Sequence, residues 1–188
     1  MFGFIFWIIL FSIGIALAIT LTLGPEKLRS SAILGTSIVI LIEISRIMII
    51  FSDPSPFFIP NFLNLLIGIP IFLTGIILEI FAEIKIKLYG FSGTANNESL
   101  YTDGIYGKVR HPIYLGEIIW PVGLVIIVGG VYSLFIAIIW TIFFIILAKL
   151  EERNLIQIHG DKYKEYQHQV PMIFPLRFRR KRQKSNKK

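Results

Sequence analysis

The densest polar stretch of the chain is Gly104-Ile105-Tyr106-Gly107-Lys108-Val109-Arg110-His111-Pro112-Ile113-Tyr114-Leu115-Gly116-Glu117. Imidazole, guanidinium, carboxylate and phenol side chains crowd there between apolar segments. Pro112 holds the His111 backbone extended and suits the first turn of a helix that follows. Tyr114 lies three residues after His111, so the two share a side as that helix begins. A helix start leaves N–H groups unpaired and carries a partial positive charge, which favours an anionic ligand group. Tyr101, Tyr106 and Tyr114 add ring faces that attract cations. Glu151 and Glu152 supply negative charge from a later segment. A ligand with a carboxylate, a positive centre and a flat ring suits this set.

The elements that must position these residues are greasy. Of 188 residues, 54% are hydrophobic and 16% charged, and the mean hydropathy is +0.70. A soluble domain carries about 25% charged residues, so the chain reads as an all-α, polytopic membrane protein. Phe2 to Leu23 is long enough for a roughly 30 Å hydrocarbon core; it lacks a basic start and reads as a retained span. Further spans are expected at about Ala32 to Phe51, Phe62 to Ala82, Ile113 to Gly129 and Val131 to Ala148. The last two are shorter than the others and separated by Gly129-Gly130, which predicts a tight helical hairpin. Three regions follow from this reading: residues 1–97 as a three-helix membrane region, 98–175 as the ligand-binding hairpin with cytosolic helices, and 176–188 as a basic disordered tail. Within the second region a helix is expected to emerge from the fifth span and stop at Gly160. Asp161 then opens a short helix carrying Tyr163 and Tyr166, which are expected to pack against the hairpin.

Lys27 and Arg29 follow the first span, and Asp53 is the sole charge after the second. Lys85, Lys87, Lys108 and Arg110 follow the third, and Lys149, Arg153 and the tail follow the fifth. The basic loops alternate, which predicts an outside N-terminus and a cytoplasmic C-terminus. The central stretch and the segment after the fifth span then share one face. The formal net charge of +7 belongs mostly to the tail and reads as an anchor near anionic lipid rather than a nucleic-acid contact. The chain has no cysteine, which excludes disulfides and thiolate metal sites. His159 and His168 show no zinc-ligand spacing with His111, so no metal is expected. Glu43 and Arg46, three apart within the second span, are expected to pair.

S-adenosylmethionine carries the ligand features named above, with an ammonium for a carboxylate to hold, although spacing alone does not single it out. Gly104-x-Tyr106, Arg110-His111-Pro112-x-Tyr114-x-Gly116, Glu151-Glu152, Gly160-x-x-Tyr163-x-x-Tyr166 and Val170-Pro171-x-x-x-Pro175 resemble the isoprenylcysteine carboxyl methyltransferase family and the wider group that includes phospholipid methyltransferases. The resemblance covers about Glu98 to Pro175. It implies a membrane methyltransferase with S-adenosylmethionine bound at the cytosolic face and a lipophilic or lipidated acceptor entering from the bilayer. By block position, it puts cofactor contacts on Glu98, Ser99, Leu100, Tyr101 and Tyr106, on His111, Pro112, Ile113 and Tyr114, and on Glu151. Candidate substrate contacts are Arg110, Glu152 and Arg46. The sequence departs from the family at Leu147, where members acting on prenylcysteine carry a substrate-contacting arginine; Lys149 is the nearest cation. Two other readings stay open. Some membrane sterol and steroid reductases that bind NADPH carry a similar Arg-His-Pro-x-Tyr-x-Gly-Glu run, which Glu117 also fits. A small non-enzymatic scaffold or transporter is the third.

Overall fold

The computed structural model describes residues 1–25, 32–55, 62–88 and 100–175. Among them there are six α-helices and no strand: α1 (Phe2–Leu23), α2 (Ala32–Phe51), α3 (Phe62–Leu88), α4 (Pro112–Val128), α5 (Val131–His159) and α6 (Asp161–Gln169). Lys27 and Arg29, residues 89–97, the candidate residues Glu98 and Ser99, and the tail from residue 176 lie outside the described residues.

α1, α2, α3 and α5 are long and apolar enough to cross a bilayer. α4 has 17 residues; at 1.5 Å per residue it rises about 25 Å, a little short of a full hydrocarbon core. Side chains such as Phe6, Ile9, Ile77 and Ile138 stay exposed on the outer faces. In water such a surface would be untenable, but in lipid it is solvated. The protein is an integral membrane protein. One helix exceeds its expected length. α3 continues to Leu88, so Lys85 and Lys87 lie within it, since nothing between Ala82 and Leu88 breaks a helix. α5 is one continuous helix of 29 residues, in which the helix expected to emerge from the fifth span runs on from it without a break. It ends at Gly160, whose φ of 57° and N–H bond back to the Ile156 carbonyl (2.8 Å) turn the chain into α6. That positive φ suits a residue without a Cβ.

The expected α4–α5 hairpin is present, but α4 packs most closely on α3. Glycines make this contact. Gly68 and Gly75 on α3 face Gly116 and Gly123 on α4, at seven-residue spacing on both helices. A Cβ at Gly75 would stand 2.3 Å from the Trp120 nitrogen, and one at Gly123 would stand 2.3 Å from the Phe72 nitrogen. Small residues let helix backbones approach in a membrane, where dispersion rather than water exclusion drives packing. These four glycines are the packing surface itself.

The end of the bundle away from the polar stretch is fastened by Asp53. Its Oδ2 accepts from the Ser133 backbone N–H and hydroxyl, both at 2.7 Å. The Ser55 carbonyl takes the Val131 N–H at 3.0 Å. The loop after α2 thereby caps the first turn of α5, a helix that has no side-chain cap from its own Gly130. The cap satisfies N–H groups that would otherwise lack partners.

Candidate functional site

The start of α4, the end of the apolar part of α5, and α6 meet on one side of the bundle. Their junction forms a partly open recess of about 100 Å³. Tyr101, Tyr106, Arg110, His111, Tyr114 and Glu151 line it. Leu100, Pro112 and Ile113 complete its wall beside the first turn of α4, and Tyr163 joins from α6. Every described residue expected at a cofactor is therefore in this one recess, although the sequence separates Leu100 from Glu151 by most of a hairpin.

Local geometry follows from His111-Pro112. His111 is the residue before α4, with φ −122° and ψ 67°, and Pro112 opens the helix. His111 makes no side-chain cap bond to the first turn. Its ring instead stacks on Tyr114, with centroids 5.4 Å apart and planes 7° apart. Its Nε2 lies 3.2 Å from Glu152 Oε1, and its Nδ1 lies 3.6 Å from Glu151 Oε2. The two adjacent glutamates thus approach opposite edges of the same imidazole.

Their environments differ. Glu151 is partly exposed and faces the recess. Glu152 is buried, and both its oxygens are engaged. Oε1 accepts from Arg110 Nε at 2.6 Å and Oε2 accepts from Gln167 Nε2 at 2.8 Å. Burial works against the charged form of Glu152, but hydrogen bonds from His111 and Arg110 and the Arg110 charge outweigh it. They hold its carboxyl down at about 2, so it is ionised at neutral pH.

Arg110 ties the recess to the C-terminal segment. Its Nη1 donates to the Gln167 carbonyl at 2.9 Å and also to the Val170 carbonyl. The backbone N–H groups of Arg110 and His111 donate to the Pro171 and Met172 carbonyls, each at 2.9 Å. Tyr166 donates its hydroxyl to the Tyr106 carbonyl at 2.6 Å. Burial pushes the Tyr166 phenol up despite nearby Arg110. Burial and the Glu151 charge raise that of Tyr106. Both remain protonated at neutral pH. The two α6 tyrosines, expected only to pack, also shape and fasten the recess. Gln167 and the carbonyls of residues 170–172 gave no sequence signal, because a backbone acceptor has no residue type and Gln167 belongs to no motif block.

The three candidate substrate residues occupy different places. Arg110 lines the recess, with its guanidinium committed to Glu152 and the two carbonyls. Glu152 lies behind His111. Arg46 is elsewhere, fully buried in the bundle. It pairs with Glu43, as expected, and also with Glu117 of α4. It donates to the Glu117 carbonyl at 3.1 Å and lies over the rings of Trp120 (4.7 Å), Phe144 (5.2 Å) and Trp140 (5.8 Å). Leu147 packs against the apolar core, and Lys149 is exposed.

The family model described as phospholipid methyltransferase matches residues 63–162, more than half of the chain, from the start of α3 into α6. The chain belongs to the phospholipid methyltransferase family. Its curated relatives include a protein-S-isoprenylcysteine O-methyltransferase of Schizosaccharomyces pombe, 42% identical over 79 residues, or 41% of this chain and 33% of that protein. A methanethiol S-methyltransferase of Crocosphaera subtropica is 36% identical over 77 residues, covering 40% of this chain and 29% of that protein. The human protein-S-isoprenylcysteine O-methyltransferase is 32% identical over 119 residues, covering 55% and 40% respectively. The chain therefore spans well under half the length of these relatives. The resemblance read from the motif blocks agrees with the family, and the family match extends it upstream to include α3, the glycine partner of α4.

Proposed function

We propose that this family member is an integral membrane methyltransferase that binds S-adenosylmethionine in the recess and methylates a lipophilic acceptor reaching it from the bilayer. The observation that carries this reading is the convergence, in a chain of this family, of Glu151, His111 and the uncapped first turn of α4 between tyrosine rings. These residues fit the cofactor's charged groups. Glu151 would hold the ammonium, and the N–H groups of Ile113 and Tyr114 would take the carboxylate. Tyr101 and Tyr106 would offer ring faces to the flat base and the positive centre. When bound, S-adenosylmethionine supplies an electrophilic methyl group. The chain contributes orientation and a site screened from water by α6 and the residues after it.

The cations among the described residues bear on the acceptor class. Leu147 offers no charge, and Arg46 and Arg110 are already neutralised by glutamates. Burying a carboxylate acceptor without a fixed cation is costly. The geometry supports a lipophilic acceptor whose reacting group does not need one. The alternating basic loops support a recess on the cytoplasmic side, with the N-terminus outside.

The test is ligand stabilisation of the detergent-solubilised protein. S-adenosylhomocysteine at about 100 times its dissociation constant should stabilise it by roughly 2.7 kcal/mol, and NADPH should leave the melting temperature unchanged. Glu151→Ala should weaken that binding by about tenfold or more, as expected for loss of a charge-assisted hydrogen bond worth about 1.5–3 kcal/mol. A protein stabilised by NADPH and indifferent to S-adenosylhomocysteine would overturn the reading.

A further inference from the structure

Glu152 has no face on the recess, yet it touches three side chains that the recess depends on. Its Oε1 lies 2.6 Å from Arg110 Nε and 3.2 Å from His111 Nε2, while Oε2 lies 2.8 Å from Gln167 Nε2. An ionised carboxylate only accepts hydrogen bonds. All three neighbours must therefore present donors to it. Arg110 and Gln167 always can. A histidine has a choice, because a neutral imidazole carries its proton on either nitrogen, and the partner of one nitrogen settles the state of the other.

We infer that Glu152 is a positioning residue that keeps the His111 proton on Nε2, so that Nδ1 is the atom His111 presents to a ligand. The ring has little freedom to escape this. It is stacked on Tyr114, and its backbone N–H is bonded to the Met172 carbonyl. Nδ1 lies on the side of Glu151, 3.6 Å from Oε2, too far for a hydrogen bond between them. The two atoms form a pair of acceptors at the wall of the recess, both within reach of one N–H-bearing cationic group. A proton on Nδ1 would turn half of this pair into a donor and set it against that cation. The low proton affinity of Glu152 is consistent with this role, since a protonated Glu152 could donate to Nε2 and reverse the tautomer.

The ligand part of this inference rests on the proposed function; the tautomer part does not, and the experiment separates them. Nitrogen NMR of protein labelled at histidine, with His159 and His168 replaced by Gln to leave one signal, reads the tautomer of neutral His111 directly. The expected result is Nε2–H in the otherwise unsubstituted protein. Glu152→Gln should preserve it, because its amide oxygen can face Arg110 and His111 while the Gln167 amide flips to accept from its NH₂. Arg110→Met combined with Glu152→Met removes the acceptor without stranding a buried charge. This double variant should lose the Nε2–H preference and bind S-adenosylhomocysteine at least tenfold more weakly, whereas Glu152→Gln stays within about threefold, the difference being about 1.4 kcal/mol per tenfold change. Nδ1–H in the unsubstituted protein overturns the inference, even if the double variant does not fold. So does a double variant that keeps the tautomer, or one that loses it with unchanged affinity. Absence of S-adenosylhomocysteine binding by the unsubstituted protein would instead overturn the proposed function and leave the tautomer result standing.

Discussion

Arg46 and Arg110 are both held by glutamates, in surroundings of opposite kind. Arg46 lies inside the bundle between Glu43 and Glu117, walled by Trp120, Trp140 and Phe144. Its contacts run sideways from α2 to α4 and fix the placement of these helices. Arg110 lies at the start of α4, where its bonds reach Glu152 and the carbonyls that follow α6. Its network borders a recess through His111, and one neighbouring carboxylate, Glu151, remains open to it. Phe144 lies between the two systems, touching Tyr114 on one side and Arg46 on the other. The same ion pair therefore serves two ends. Set among the rings of Trp120, Trp140 and Phe144, it is a fastener; placed beside a helix start with one carboxylate left over, it frames a binding site.

The comparison breaks most sharply at Arg46. Arg46→Leu leaves two glutamates inside the bundle without their cation, and loss of one partner of a buried pair costs about 3–5 kcal/mol. Thermal unfolding in detergent should show a large drop, and pairing the change with Glu117→Met should recover part of it. A single variant as stable as its parent would remove the fastener role.

Acid sharpens the contrast from the other side. The folded-state value of Glu152 is about 2, against an ordinary 4.5. A depressed carboxyl contributes stability that is complete above the unfolded value and is lost as pH falls through the folded one. Between about pH 4.5 and 2 the parent should therefore lose stability more steeply than Glu152→Gln. Equal slopes in paired melting curves would show that Glu152 is not held by its partners.

The smallest effect belongs to a control remote from both arginines. Asp53→Ala removes the cap on α5 and should cost about 1 kcal/mol, within the usual 0.5–2 kcal/mol for lost caps. S-adenosylhomocysteine affinity should not change, since Asp53 lies at the other end of the bundle. A weakened affinity would show that the recess senses that end.

The sequence by itself determined the membrane class, the helical elements and the identity of most recess residues. Long apolar runs have few alternatives in lipid, where backbone groups must bond within a helix. The block around Arg110-His111-Pro112-x-Tyr114 marks a helix start whatever surrounds it. Tertiary structure alone decided three things. It made α3 the close neighbour of α4, because helix contact depends on which glycines face each other, and isolated glycines in a hydrophobic run carry no such direction. It joined Glu117 to Arg46, which are 71 residues apart. It also divided the work of Glu151 and Glu152. Successive residues on a helix point about 100° apart, so one carboxylate faces the recess and its neighbour faces Arg110, and only the packing of α5 against α4 and α6 could settle which was which.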